Sequence, residues 1–140
     1  MRDLRLDDYQ GERKLDQTYC HELFEYRDGE LFWIRRPATH FQYYHTWKCW
    51  RDRYIGTQAG TARSQARKNK HRRVTIDGTG YCLARVVWLF HHGEWPEYCW
   101  HRDGDRHNCA IENLEGLSRE QHIMRLREVS TYYALQRGKL

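Results

Sequence analysis

The chain has 140 residues, with 24 Lys and Arg against 19 Asp and Glu, for a formal net charge of +5. One domain accounts for that length, and the positive balance is compatible with a polyanionic partner without demanding one. Five cysteines, an odd number with no C-x-x-C pair, argue against a disulfide framework and a zinc knuckle and for reduced thiols in a cytoplasmic setting. No secretory leader is read in the sequence, and no apolar run approaches the ~18 residues of a membrane span.

Residues 1–11 are charged and end in Gly11, so a flexible N-terminus is expected there. From Glu12 to Leu23 the spacing of Leu15, Tyr19 and Leu23 predicts a short helix with one apolar face. Phe24 to Arg35 reads as a β-hairpin turned at Asp28-Gly29, with Tyr26, Leu31 and Trp33 on one face, and Pro37 ends its second arm. Residues 38–54 interleave aromatic side chains with Lys48, Arg51 and Arg53. Rings among cations can stack on bases and hold phosphates, but filling the core of a small, ring-rich domain (14% aromatic) is the preferred role. His40, His45 and Cys49 form no paired ligand motif.

Gly56 and Gly60 bracket a turn. Arg63, Arg67, Lys68, Lys70, Arg72 and Arg73 then place six cations in eleven residues with no acid among them. This solvated loop is the first choice for phosphate contacts, joined by Arg85 further on. About four such contacts would give a log–log salt slope of roughly −3.6. Val74–Ile76 and Tyr81–Leu83 read as a second hairpin around Asp77-Gly78-Thr79-Gly80. The run from Ala84 to His91 is short enough for strand or helix; as a helix it would end at Gly93, with Pro96 beyond and His91 and His92 at its C-terminus.

The stretch Cys99–His122, CWHRDGDRHNCAIENLEGLSREQH, organises the rest. His101 is followed by a polar Asp/Gly loop, Asn113 lies twelve residues on, and His122 nine beyond that. Ser118 and Gln121 form a capping box, which puts His122 in the first turn of a helix with its ring free to face the His101 loop. That helix, from about Arg119, carries an apolar stripe of Ile123, Leu126, Val129, Tyr133 and Leu135, and residues 136–140 are expected to fray.

The segments HRDGDRHN and IENLEGLSREQH, with His101, Asn113 and His122, resemble the HNH nuclease motif, the ββα-metal finger. Upstream, FEYRDGELFW, GTQAGT and ARVVWLFHHGEWPE resemble flanking blocks of small HNH homing-type endonucleases carried by bacteriophages, over roughly residues 20–125. The resemblance tips 84–91 to helix. It implies an α+β fold, one HNH domain over 1–140 with a ββα-metal core at 98–135, completed by N-terminal hairpins and a helix. It also implies a metal-dependent endonuclease acting on DNA in the cytoplasm of a bacterial host. His101 would be the general base, Asn113 would orient it through its backbone or brace the loop, and His122 would hold a divalent metal. Mg²⁺ or Mn²⁺ would serve, with Zn²⁺ also compatible with an imidazole ligand.

This chain departs from the pattern just before the base. Trp100 stands where relatives carry an Asp or His metal ligand, and an indole N–H cannot ligate. Asp103 or Asp105 can lend a carboxylate instead. Two alternatives follow: an HNH-fold DNA-binding protein that no longer cleaves, and a structural zinc module built from Cys99, Cys109, His101 and His107. A monomer, a homodimer or a helper protein would each serve a chain with little room for a separate specificity module.

Overall fold

The computed structural model describes residues 5, 6, 9, 11, 13–60 and 70–138. The fold is mixed α+β. Among the described residues, four α-helices alternate with three two-stranded antiparallel sheets.

Helix α1 spans Gln17–Leu23, starting later than the apolar spacing suggests. The cause is Asp16, an extended N-cap residue whose carboxylate accepts from the Tyr19 N–H at 2.8 Å. Leu15 is buried ahead of the helix, not on it. Strands β1 (Phe24–Arg27) and β2 (Glu30–Trp33) follow at once. Asp28 and Gly29 take φ of 52° and 78°, as a two-residue hairpin turn requires. Phe24 pairs with Trp33 and Tyr26 with Leu31, so these four share the face turned to the core.

Helix α2 covers Tyr44–Tyr54. Its aromatic residues divide by face. Trp50 and Tyr54 lean on Trp33 at centroid distances of 5.4 and 6.2 Å, whereas Tyr43 and Tyr44, at its start, are exposed. Strands β3 (Arg73–Ile76) and β4 (Thr79–Cys82) form the second hairpin. Its turn is tighter than the four residues expected: Asp77 and Gly78 alone make it, at φ of 50° and 82°, because Thr79 and Gly80 already pair with Ile76 and Thr75.

Helix α3 (Leu83–His92) is the central element of the core. Leu83, Ala84, Val86, Val87 and Leu89 are buried along it, and Gly93 closes it at φ 82° by returning its N–H to the Leu89 carbonyl. Strands β5 (Tyr98–His101) and β6 (Leu114–Leu117) pair antiparallel, with His101 opposite Leu114 and Trp100 opposite Glu115. Trp88 of α3 presses on Gly116 of β6, where a Cβ would lie 2.6 Å from the indole.

Helix α4 then runs Arg119–Gly138. Residues 136 and 137 stay helical, because the first strong helix breaker is Gly138. Among the described residues none of this helix is buried, and the apolar stripe Ile123, Leu126, Val129, Tyr133 and Leu135 is exposed. No helix among the described residues is long and apolar enough to cross a membrane.

Candidate active site

A cleft of about 890 Å³ opens between β5, the loop after it and α4. His71, Trp100, His101, Arg102, Arg106 and His122 are among its walls, with Leu126, Val129 and Tyr133 of α4 along one side. The loop that shapes the cleft is closed by short polar side chains. The His101 carbonyl accepts from the Gly104 N–H at 3.0 Å, and the Arg102 N–H donates to the Asn113 carbonyl at 2.8 Å. Asn113 Nδ2 donates to Asp103 Oδ1 and to the Asn108 carbonyl, both at 2.9 Å, while its Oδ1 accepts from the Asp103 N–H at 3.0 Å. Asn113 is 9% exposed. Of the two geometries open for it, both are present: its backbone ties the residue after His101, and its amide ties the loop.

The loop is also fastened from outside. The Tyr26 hydroxyl accepts from the Ile111 N–H at 3.1 Å, so the first hairpin supports it. Arg72 reaches the His107 carbonyl at 3.2 Å and Glu30 Oε1 at 2.7 Å.

His101 ends β5 with its ring only 7% exposed. Its Nε2 is buried and makes no hydrogen bond. Burial, with the neighbouring His71 next, holds its pKa below the ordinary histidine value. The ring is therefore neutral at neutral pH and can accept a proton. His71 is lowered in the same direction, by burial first and then by Arg106.

The capping box forms as the sequence requires: Ser118 N–H donates to Gln121 Oε1 at 2.9 Å, and Gln121 N–H to Ser118 Oγ at 3.2 Å. Glu97 adds an acceptor for the Arg119 N–H at 2.7 Å. His122 thus sits in the first turn, its ring stacked on Tyr98 at 4.2 Å, with Trp100 edge-on at 6.1 Å. Arg125 grips Glu115 through two hydrogen bonds and lies over the Trp100 ring.

Residues 81–124 match the model of the HNH endonuclease family, a span that includes His101, Asn113 and His122. This segment is similar to the HNH endonuclease family. No curated protein and no solved structure matches the chain. An HNH segment suggests a nuclease or DNA-binding function, and nucleases of this family generally depend on a divalent metal.

The donors in this chain do not form a ready-made metal site. Asp103 is turned into its own loop, where its carboxylate accepts from the Asp105 N–H, Asn108 Nδ2 and Asn113 Nδ2. Those donors, Asn108 first, hold its pKa below the usual carboxylate value. Trp100 supplies no ligand. Among the described residues, no three His, Cys, Asp or Glu side chains gather where an ion would sit. Cys99, Cys109, His101 and His107, the residues of the zinc-module alternative, form no such group either.

The basic residues divide. Arg63, Arg67 and Lys68 lie outside the described residues. Lys70 and Arg73 are exposed. Arg72 corrects the sequence expectation: it is fully buried against Glu30, so its guanidinium presents no surface to a phosphate. Arg85 lines the cleft but donates to the Pro96 and Glu97 carbonyls, which anchors the start of β5. Sequence reasoning missed His71, Arg102 and Arg106 as cleft residues. Arg102 and Arg106 stood within two positions of the Asp/Gly loop, but His71 is thirty residues from His101, and only the fold brings them together.

Proposed function

We propose that this chain hydrolyses phosphodiester bonds of DNA, with β5, β6 and α4 acting as a ββα-metal finger and His101 as the general base. The observation that carries the reading is the buried His101 ring, whose Nε2 has no hydrogen-bond partner, in a cleft flanked by Arg102 and Arg106. A water in line with the scissile P–O3′ bond gives its proton to His101 as its oxygen attacks phosphorus, the P–O3′ bond breaks, and the departing 3′ oxygen takes a proton from solvent, leaving a 5′-phosphate and a 3′-hydroxyl. The cleft arginines offset charge on the phosphate. Asn113 fixes the loop that aims His101. His122, stacked at the cleft wall, is the imidazole nearest in kind to a metal ligand, but with so incomplete a donor set no step is assigned to a metal. In this reading residues 1–140 act as one nuclease domain, and the homing type rests on the sequence blocks at 24–33, 56–61 and 84–97.

The ends left by cleavage test the reading. Nicks made in plasmid DNA should be sealed by DNA ligase without prior phosphatase or kinase treatment. Ends that ligase rejects would refute the proposed direction of attack.

A second reading, DNA binding without cleavage, is favoured by one observation: the ring of Trp100 stands beside His122 where a ligand would be needed. Salt-sensitive DNA binding with no nicking in Mg²⁺, Mn²⁺ or Zn²⁺ would select it.

A further inference from the structure

His71 is exposed, and its ring centroid lies 5.5 Å from that of buried His101, with the planes tilted by 39°. Both rings line the same cleft. His71 lies outside the matched family segment of 81–124, so nothing in that match assigns it a role.

Its position is tightly fixed. The next residue, Arg72, is fully buried and tied at three points: its carbonyl accepts from the Leu83 N–H at 2.9 Å, and its guanidinium holds Glu30 of β2 and the His107 carbonyl of the cleft loop. The clamp therefore fastens the backbone carrying His71 to the loop that carries His101. The two imidazoles are thus held side by side on one wall of the cleft, His101 deep and His71 at the mouth.

The cleft walls carry Arg85, Arg102 and Arg106 against Glu97 and Asp103, and although Asp103 acts on His101 more strongly than Arg106, the Arg106 field reaches both rings. A cation entering there would meet those guanidinium groups. A phosphate would find the guanidinium groups favourable and would meet the imidazole of His71 at the mouth of the cleft.

We infer that His71 is a second imidazole of the reaction centre, donating a hydrogen bond to a non-bridging oxygen of the phosphate whose attacking water His101 deprotonates. This rests on the nuclease reading above. A neutral imidazole suffices, since one ring nitrogen carries a proton in either tautomer. The donor acts on charge that grows in the transition state, so its removal should affect turnover more than DNA affinity.

The test uses the full chain with His71→Phe, which keeps a ring of similar shape, and His71→Asn, which restores an N–H donor. On supercoiled plasmid, His71→Phe should lower the nicking rate constant about a hundred-fold with little change in the DNA concentration for half-saturation. His71→Asn should recover part of the loss. Nicking by His71→Phe at the wild-type rate, or equal loss in both variants, would overturn the inference. If His101→Ala also nicks like wild type, the nuclease assignment of His101 fails as well, and the two failures are thereby separated.

A second readout does not need activity. Inorganic phosphate, added at constant pH, should move the imidazole nitrogen resonances of His71 and His101 together. A shift at His101 with His71 silent would refute the inference alone. No shift at either would refute both.

Discussion

Arg72 offers the sharpest separation of a structural cation from a DNA-binding one. Replacing it with Met keeps most of its volume and removes the charge. The variant strands Glu30, whose side chain is 25% exposed and whose Oε1 loses a 2.7 Å partner. The His107 carbonyl loses its donor too. Breaking a fully buried pair costs about 3–5 kcal/mol. Glu30 keeps some water, so the lower end, about 3 kcal/mol, applies. For 140 residues the unfolding entropy near the melting temperature is about 0.3 kcal/mol/K, which converts that loss into about 10 °C. Thermal melts followed by circular dichroism read it directly. Glu30→Met made in addition should restore part of the loss, because an apolar pair of similar volume avoids the uncompensated charge. The log–log salt slope of DNA binding, measured well below the melting temperature, should be unchanged. A variant with wild-type stability whose salt slope is shallower by about one would refute the reasoning, since that is the signature of a lost phosphate contact.

Three further outcomes follow from the structure. Gly116→Ala drives a Cβ into the Trp88 indole and should cost about 1–3 kcal/mol, seen as a lower urea midpoint; an unchanged midpoint would contradict the close packing of α3 on β6. Ser118→Ala removes the acceptor for the Gln121 N–H and should cost about 1 kcal/mol, with amide exchange faster in the first turn of α4 and not elsewhere. His40 is buried, accepts from Arg36 Nε at 3.1 Å, and has its pKa lowered by burial first and then by Arg36. The unfolded chain then binds more protons than the folded one below the ordinary histidine value of 6.5, so stability is present above that pH and falls as pH drops through it. His71 and His101 act in the same direction. Melting temperatures should therefore decline from pH 7.5 to 5.5, and a rise over that interval would contradict the neutral buried state.

Much of the fold is legible in local chemistry. Asp28-Gly29 and Asp77-Gly78 mark both hairpin turns because positive φ is cheap there, and Ser118 with Gln121 marks the start of α4. The second turn was misjudged in length because Thr79 and Gly80 look like turn residues, while their cross-strand partners make them strand. In the basic run, Arg72 looks identical to its neighbours in sequence. What distinguishes it is Glu30, forty-two residues away, and no local pattern shows such a pair. The same holds for His71 beside His101. Asp103 looked like a spare ligand because its loop partners, Asn108 and Asn113, become visible only once the loop closes. The stripe on α4 is visible in the sequence, but its exposure is not.

In the proposed reaction His101 is the proton acceptor of a nuclease. The most direct test of that role is relaxation of supercoiled plasmid by the wild-type chain and by His101→Ala, each in Mg²⁺, Mn²⁺, Zn²⁺ and EDTA. Wild type should nick in at least one of these conditions and His101→Ala should not, with DNA binding retained by both. Equal nicking by the two proteins, or none by wild type in any condition despite intact DNA binding, would contradict that role.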